Sequence, residues 1–529
     1  MKGRGTGNSE SSSRAVLKRD FLSSHPWILR PEVLVLLVPA AVKLLVHLLA
    51  VNGYGIHGDE LYYIACSDHL DWGYVDQPPL SIFLLHLTRA TLGDSLLSIR
   101  LLPALAGSFT VLLTGLLARR LGAGLFGQLL AGLCALVAPV YLAVNHYFSM
   151  NAFEPLFWLA AVYFIVRIVD EGKPTLWVGF GLIMGLGFQN KIGVLFLGFG
   201  IVAGLLLTKK RRLLFNRWVW LGALVAVLVM VPYVIWQVAH GWPTLEWIAN
   251  ARAQKMVALS LPAFLKEQVL LMHPLTVLVW GTGLAALLIH PFLARYRSLG
   301  WCYLTVLAMF IVQGGKPYYI APVYPFLSAA GAIAIERWLA RPWMRTAIAA
   351  AVLGAGALTA PLGMPLLPVE SFLKYQDIIG MRPSSGEKWV EGRLPSFFAN
   401  FFGWKELAGT VETVYRSLPA EDRARCGVFC QNYMQAGAID FYGGPRGLPH
   451  AICGHNSYWL WGTGGYSGDV MIVVGSNTRD LEEAFEEVTE RSRFRNEYIQ
   501  PIHNELPIFV VRRPKQSLAL LWPRVKSYI

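Results

Sequence analysis

The sequence predicts an all-α polytopic membrane domain followed by a small extracytoplasmic α/β domain. Of its 529 residues, 55% are hydrophobic and only 15% are charged, and the mean hydropathy is +0.46. This composition excludes an ordinary soluble protein. From about residue 362 the charge rises and the long apolar runs stop, so we place the membrane domain at 31–361 and the α/β domain at 362–529.

The first 30 residues are polar and rich in Ser and Arg, which predicts a disordered cytoplasmic N-terminus without a cleavable signal peptide. The apolar runs that follow are of spanning length or nearly so, and they predict about eleven transmembrane helices. They lie near 32–51, 97–118, 121–142, 152–169, 175–190, 192–208, 218–237, 269–290, 299–313, 319–339 and 343–361.

Basic residues occur in alternate loops, as in Arg119-Arg120, Lys209–Arg212 and Arg337, on the same side as the basic N-terminus. The positive-inside rule makes that side cytoplasmic, and an odd number of spans then puts the C-terminal domain outside the cell membrane. The net charge of +13 therefore indicates how the chain is oriented in the membrane. It does not indicate a nucleic-acid partner.

Short β-rich runs alternate with helical patterns after residue 362, which predicts an α/β domain of the parallel-sheet type. The β-rich runs are Val428-Phe429, Ala451-Ile452, Val470–Val474 and Ile508–Val511. Helical patterns cover 432–442 and 478–489. Polar and aromatic clusters at strand ends, Asn432–Ala438 and Gly454–Trp459, suit acceptor recognition, although loop capping or docking onto the membrane domain explains them equally well.

The six cysteines divide between the two sides of the membrane. Cys134 and Cys302 fall in predicted spans, where core packing is the simplest role. Cys66, Cys426, Cys430 and Cys453 are predicted outside, where disulfides can form. Cys430 and Cys453 end two strands that we expect to be neighbours, so a bridge and two free thiols both remain open.

Two adjacent carboxylates, Asp59 and Glu60, follow the first apolar run. A carboxylate at a membrane edge is tolerated when it reaches water or a charged partner, so this pair is predicted to line a watery cavity. The same topology brings 145–154, Asn190-Lys191 and 314–319 to that outer face. Polar residues far apart in the sequence thus converge on one membrane surface.

The Asp59-Glu60 pair, Asp76-Gln77-Pro78-Pro79, the outer Lys191 and the run Lys316–Pro325 together resemble the GT-C glycosyltransferases. Within them the chain resembles family 39, which includes protein O-mannosyltransferases and the aminoarabinose transferase of lipid A. The resemblance covers about residues 30–340. It implies transfer of a sugar from a polyprenyl-phosphate carrier to a cell-envelope lipid, glycan or protein at the extracytoplasmic face, usually with inversion.

The resemblance implies that Asp59 is the general base and that Glu60 positions Asp59 or the acceptor. An acceptor hydroxyl is a weak nucleophile and needs a carboxylate to take its proton. A structural alternative is that one of the two carboxylates pairs with Arg89 or Arg100 and closes the loop.

Lys191 and Lys316 are the predicted donor phosphate-binding cations, because the leaving phosphate needs positive charge and not an acid. Both stand at the outer ends of spans, where a lysine can also reach the lipid headgroups.

Asp76, Tyr319, His146 and Glu154 are predicted to contact substrate. Asp76 departs from the Lys-Pro-Pro or His-Pro-Pro that is commoner in the family. No motif requires a cofactor, but a divalent metal held by His146 with Asp76 or Glu154 remains an open alternative.

Two other functions are compatible with many spans: a lipid or glycan transporter without catalysis, and a structural assembly subunit. A transporter usually carries its polar groups near the middle of the bilayer on broken helices of two repeated halves. Here they gather at one face and no inverted repeat is visible, which favours the glycosyltransferase.

Overall fold

The computed structural model describes residues 30–382, 387–388 and 390–529. The predicted cytoplasmic N-terminus lies outside the described residues, except for residue 30. In the described part, long helices dominate up to residue 379 and a five-stranded sheet lies between residues 426 and 514. The predicted helical domain with a small C-terminal sheet is therefore confirmed.

The helices of the first part follow one another with short connections. They are α1 Pro31–Leu49, α2 Gly58–Asp68, α3 Leu80–Leu92, α4 Leu96–Leu121, α5 Leu125–Val137, α6 Pro139–Val144, α7 Glu154–Glu171, α8 Leu176–Asn190, α9 Val194–Leu206, α10 Arg217–Ala239, α11 Pro243–Asn250, α12 Leu261–Leu271, α13 Val277–Ile289, α14 Arg297–Gln313, α15 Tyr324–Trp338, α16 Pro342–Thr359 and α17 Val369–Ile379. Proline often opens them, as in α1 and α16, because the first turn needs no backbone donor.

Six helical stretches in the described residues are long and apolar enough to cross a membrane. They are Pro31–Leu49, Leu96–Leu121, Met150–Glu171, Arg217–Ala239, Pro317–Trp338 and Pro342–Leu362. Leu261–Leu271 and Pro274–Ile289 form a further broken span or re-entrant segment with a bend of 101°, and α3, α5, α8 and α9 are shorter apolar helices. These elements make the chain a multi-pass membrane protein, while the number of eleven spans stays a prediction.

Glycines allow the membrane helices to pack backbone to backbone. A Cβ added to Gly283 of α13 would lie 1.9 Å from the carbonyl oxygen of Leu327 in α15, and one added to Gly331 would lie 1.8 Å from that of Val279. Small residues at such crossings permit close helix packing inside a membrane. Any side chain at either glycine would therefore push α13 and α15 apart.

The sheet has the strand order β2-β1-β3-β5-β4. Its strands are β1 Cys426–Cys430, β2 Ala451–Cys453, β3 Val470–Val474, β4 Phe485–Phe494 and β5 Leu506–Pro514. β1 pairs in parallel with β2 and β3, whereas β5 runs antiparallel to β3 and β4. The helices around it are α18 Ser396–Ala399, α19 Trp404–Arg416, α20 Ala420–Arg425, α21 Tyr433–Ala438, α22 Ser457–Trp461, α23 Thr478–Ala484 and α24 Leu518–Leu521.

The four predicted strands are present, and the sheet is mixed: β1, β2 and β3 are parallel, as in the predicted parallel-sheet type, whereas β5 is antiparallel to its neighbours. The helical pattern predicted over 478–489 ends at Ala484, and the following residues form β4. β4 is an edge strand with many charged side chains, which protect an exposed edge from pairing with other chains. Because of these charged residues β4 contains no apolar run, so the apolar pattern does not predict it.

One hydrophobic core joins the sheet to the membrane domain. Val428, Ile472 and Val510 from three strands pack in the same cluster as Leu61 of α2 and Phe148. Interiors of this kind are close-packed and do not slide freely. The sheet therefore holds a defined position against α2, the helix that carries Asp59 and Glu60.

Cys430 and Cys453 lie opposite each other in the register of β1 and β2, as expected for neighbouring strands. Both are buried free thiols in the structure, as are the other four cysteines.

Candidate active site

The loop before α2 and the first turn of that helix set the positions of the two carboxylates. The His57 backbone N–H donates to Glu60 Oε2 at 2.9 Å, and His57 Nδ1 accepts from the Asp59 N–H at 3.1 Å. This capping box satisfies helix N–H groups that would otherwise lack partners, and the helix dipole favours carboxylates in the first turn. Asp59 and Glu60 consequently point to different surroundings.

Glu60 is fully buried and accepts bonds on both oxygens. Besides the bond from His57, Arg100 donates to it through Nη2 at 2.6 Å and Nε at 2.9 Å, and the Phe148 N–H donates at 2.8 Å. Arg100 also donates to the carbonyl oxygens of Val51 and Gly55, which ties down the loop before α2. The pairing of one carboxylate with Arg100, left open by the sequence, is thus the arrangement observed for Glu60.

Arg89, the other proposed partner, pairs with Asp68 at 2.7 Å and Asp94 at 2.5 Å. Because Glu60 has no exposed surface, it is not placed to touch an acceptor. It can position Asp59 only indirectly, through the helix turn that they share.

Asp59 remains accessible, with 30% of its side chain exposed. Its Oδ1 accepts a hydrogen bond of 3.0 Å from the hydroxyl of Tyr433, the first residue of α21. Burial, and then the negative charges of Asp59 and Asp76, raise the pKa of Tyr433 well above its ordinary value. Tyr433 therefore keeps its proton and acts as a donor to the carboxylate.

Tyrosine side chains connect Asp59 to Asp76. The rings of Tyr433 and Tyr62 lie 4.6 Å apart, and the Tyr62 hydroxyl donates to Asp76 Oδ1 at 2.8 Å. Ser457, from the predicted Gly454–Trp459 cluster, also lies 2.8 Å from the Tyr62 hydroxyl, and its Oγ accepts from the Val75 N–H. Both polar clusters of the α/β domain thus contact the membrane domain beside the candidate base.

The carboxyl group of Asp76 has a raised pKa. Burial raises its pKa to about 6, against the opposing effect of the hydrogen bond from Tyr62. It lies in the loop between α2 and α3, on the same side as Asp59.

Lys191 directly follows α8 and forms a buried ion pair with Glu154, the first residue of α7. Its Nζ lies 2.7 Å from Glu154 Oε2 and donates to Asn151 Oδ1 at 2.8 Å. The ammonium also lies 4.5 Å from the centre of the Tyr319 ring, a cation–π geometry. Glu154 and Tyr319 are therefore partners of Lys191 in this structure.

Lys316 stands just before the span Pro317–Trp338 and pairs with Glu387 at 2.5 Å. Burial lowers its pKa, but Tyr319, Glu387 and Asp59 outweigh burial and raise the pKa above its ordinary value. Lys316 is therefore positively charged, and its ammonium lies within electrostatic range of the candidate base.

The two lysines converge on one aromatic ring. Lys191 Nζ lies 5.9 Å and Lys316 Nζ lies 6.0 Å from the centre of the Tyr318 ring. Two cations distant in the sequence therefore lie near the same ring, and paired cations are what an anionic phosphate needs.

His146 is brought together with neither Asp76 nor Glu154. It is buried, its ring lies 6.3 Å from that of His47, and its ring nitrogens lack a hydrogen-bond partner in the described residues. Burial, together with Arg100 and His57, holds its pKa well below the ordinary value. Among the residues that the structure describes, no group of three or more His, Cys, Asp or Glu could hold a metal ion.

Sequence reasoning missed both Glu387 and Lys255. Lys255 Nζ lies 3.7 Å from the Glu387 carboxylate, which also pairs with Lys316. Neither belongs to a motif. Tyr433 lay in a cluster that the sequence singled out, but its contact with Asp59 depends on the packing of two domains.

The family model described as dolichyl-phosphate-mannose-protein mannosyltransferase matches residues 76–236. The crystal structure of ArnT from Cupriavidus metallidurans in the apo state is 16% identical, with a TM-score of 0.58 over 89% of this chain and 97% of that one. The structure of that ArnT bound to undecaprenyl phosphate is also 16% identical, with a TM-score of 0.59 and the same coverage. No curated protein sequence matches this chain significantly.

The fold defines a multi-pass membrane protein of the GT-C type. Within that class, the protein is similar to the family-39 membrane glycosyltransferases, which confirms the resemblance seen in the sequence.

Proposed function

We propose that this protein transfers a sugar from a polyprenyl-phosphate carrier to a cell-envelope acceptor, with Asp59 as general base. The observation that carries the proposal is the combination of an accessible carboxylate, Asp59, with two lysines that converge on Tyr318 nearby. Asp59 can take a proton from the acceptor while the two lysines stabilise the donor phosphate. A lipid acceptor, a glycan and a protein all present the hydroxyl that this chemistry needs.

In the proposed step, the acceptor hydroxyl attacks the anomeric carbon while Asp59 takes its proton. The bond between that carbon and the phosphate oxygen breaks, and the polyprenyl phosphate leaves with the electron pair. Lys191 and Lys316 stabilise the charge that develops on the phosphate, so the leaving group needs no acid. A single displacement of this kind inverts the configuration at the anomeric carbon.

The proposed donor has support from the ArnT structure that holds undecaprenyl phosphate, since that protein has the same fold. The lysine sites also suit such a ligand, because a membrane-embedded lipid brings its phosphate to the outer ends of the spans. Asp76 and the segments that follow β1 and β2, Asn432–Ala438 and Gly454–Trp459, are the parts of the chain that we propose for acceptor contact.

The proposed location is the cell membrane, with the N-terminus in the cytoplasm and residues 362–529 outside it. Lys209–Leu214 forms a basic connection between α9 and α10, as the positive-inside rule expects on the cytoplasmic side.

A single-turnover assay tests the proposal. The protein in lipid nanodiscs is mixed with undecaprenyl- or dolichyl-phosphate-linked sugars and with delipidated or intact cell-envelope fractions, and release of polyprenyl phosphate is followed. We expect release that depends on the acceptor and is lost in Asp59→Asn, while that variant still binds the donor. Movement of the donor between leaflets without release would instead support the transporter.

A further inference from the structure

Glu387 lies between two lysines beside the candidate active site. Its Oε1 is 2.5 Å from Lys316 Nζ and 3.7 Å from Lys255 Nζ. The three side chains are only 10–19% exposed, so water screens their charges weakly. A single carboxylate thus bridges two cations, and one of them is a proposed ligand of the donor phosphate.

The two carboxylates that pair with the active-site lysines are held very differently. Glu154 begins the buried helix α7 and is 5% exposed. Glu387 belongs to no helix, and backbone contacts join it to the segment between α11 and α12. Glu387 forms a β-bridge with Met256, and the Lys388 N–H donates to the Lys255 carbonyl oxygen at 3.0 Å.

A carboxylate and a phosphate offer the same feature to a lysine, which is a negatively charged oxygen acceptor. An ammonium as buried as that of Lys316 needs such a partner at all times, because an unpaired charge is costly away from water. A donor phosphate that binds Lys316 must therefore replace the carboxylate or share the cation with it. Of the two carboxylates, Glu387 is the one that can leave without disturbing a membrane helix.

Resting on the function proposed above, we propose that Glu387 is an internal stand-in for the donor phosphate. Its carboxylate occupies Lys316 and Lys255 in the empty enzyme, and the incoming polyprenyl phosphate displaces it. Glu387 is thus a regulatory residue that lowers donor affinity and keeps the lysines charged and in place between turnovers. If Glu387 instead only held Lys316 in position, as a permanent brace, its removal would weaken donor binding.

The test is a titration of the full-length protein in nanodiscs with undecaprenyl phosphate, followed by intrinsic tryptophan fluorescence. We expect Glu387→Gln, and Glu387→Ala as a second substitution, to tighten binding about three- to tenfold, the effect of releasing a partly buried ion pair. Glu246→Gln is the matched control, since Glu246 of α11 pairs at 2.7 Å with Lys526, a cation that the proposal does not use. That control should bind like the wild type.

A second measurement separates displacement from a general change of charge. In a Lys316→Met background the effect of Glu387→Gln should be much smaller, because only the longer pair with Lys255 remains to be released. Unchanged or weaker binding by both Glu387 variants, with normal thermal stability, overturns the stand-in and makes Glu387 a brace. If the wild type and every variant fail to bind undecaprenyl phosphate, it is the proposed donor that is wrong, and the inference falls with it.

Discussion

The hydroxyl of Tyr433 donates a hydrogen bond to Asp59 Oδ1 at 3.0 Å, although 374 residues separate them in the sequence. Tyr433 follows β1 and opens α21, where Asn432 and Gln435 form a capping box that orients the turn. The C-terminal part of the chain thus supplies a hydrogen-bond donor to a carboxylate of the helical part. We infer that the C-terminal domain completes the active site and is more than an appendage for acceptor recognition.

Tyr433→Phe is expected to lower the transfer rate about tenfold, since a hydrogen bond to a charged group contributes about 1.5–3 kcal/mol. The ring contact with Tyr62 is kept, so only the orientation of Asp59 suffers. Single-turnover rates and the donor KM should show a lower kcat with an unchanged KM. The control is Tyr458→Phe, which loses a bond of 2.7 Å to Asp440 instead. Equal losses in both variants would make the contact with Asp59 merely structural.

Asp59→Asn is expected to reduce transfer by roughly 10² to 10⁴, the usual cost of losing a positioned general base. The amide keeps the shape of the side chain but cannot accept the acceptor proton. Folding and donor binding should survive, because Asp59 is partly exposed and burial lowers the pKa of its neighbour His57, 3.9 Å away, so that no strong ion pair is lost. Transfer by Asp59→Asn at the wild-type rate would remove the proposed mechanism.

Glu60→Gln should behave in the opposite way and act chiefly on stability. It leaves Arg100 buried with a neutral partner, and breaking a buried ion pair costs roughly 3–5 kcal/mol. Thermal unfolding in detergent should show a clear loss, while the protein that remains folded transfers sugar at a rate much closer to the wild type. A larger catalytic loss than that of Asp59→Asn would exchange the two roles.

Lys191→Met is expected to weaken donor use and also to destabilise the protein, because Glu154 is then buried without its counter-charge. The double variant Lys191→Met with Glu154→Gln removes both charges and should regain most of the stability. Donor affinity should stay low in the double variant, since the cation is still missing. If transfer returns together with stability, Lys191 serves the fold and does not hold the phosphate.

Much of the fold could be predicted because a membrane imposes strong patterns on a sequence. Apolar runs predict the long helices, and buried runs such as Val470–Val474 predict the central strands. β4 was missed because an edge strand carries charges, and local periodicity cannot separate it from a polar helix. Apolar helices of 13 residues such as α9 are shorter than a bilayer requires, so length alone does not identify them as spans.

The candidate site could be predicted only in part, for a different physical reason. Asp59 and Lys191 lie in motifs that the resemblance covers, so the sequence alone singles them out as candidate site residues. Adjacent carboxylates diverge around a helix, and which one is buried depends on where Arg100 lies. Tyr433 and Glu387 enter the site through long-range packing, which no local pattern records.

The proposed topology predicts opposite labelling of two exposed sites. All six native cysteines are buried, so an added cysteine reacts over a low background. Arg479→Cys, at a side chain that is 89% exposed on α23, should react with a membrane-impermeant maleimide in intact spheroplasts. Arg211→Cys in Lys209–Leu214 should react only after lysis. The reverse pattern would invert the orientation and move the candidate site to the cytoplasmic face.

Asp76 is expected to make the protein less stable as the pH rises from about 4 to about 6. The pKa of Asp76 is 3.8 in the unfolded chain and about 6 in the folded protein. Between these two pH values the folded state therefore binds more protons than the unfolded state. Stability therefore falls with rising pH through this window and levels off above it. At 1.36 kcal/mol for each unit of pKa, the full effect is roughly 3 kcal/mol.

Asp76→Asn isolates this effect from the buried histidines, whose titration acts in the opposite direction. Asparagine stays neutral and still accepts the hydrogen bond from Tyr62, so the variant should be close to the wild type near pH 4 and more stable at pH 7 and above. Apparent unfolding temperatures of both proteins in detergent, measured between pH 4 and 8, give the comparison. A constant difference across that range would mean that Asp76 does not titrate there. A variant that is less stable at pH 7 would mean that the ionised carboxylate is favoured by its surroundings, which would suit a direct contact with a cationic group of the acceptor.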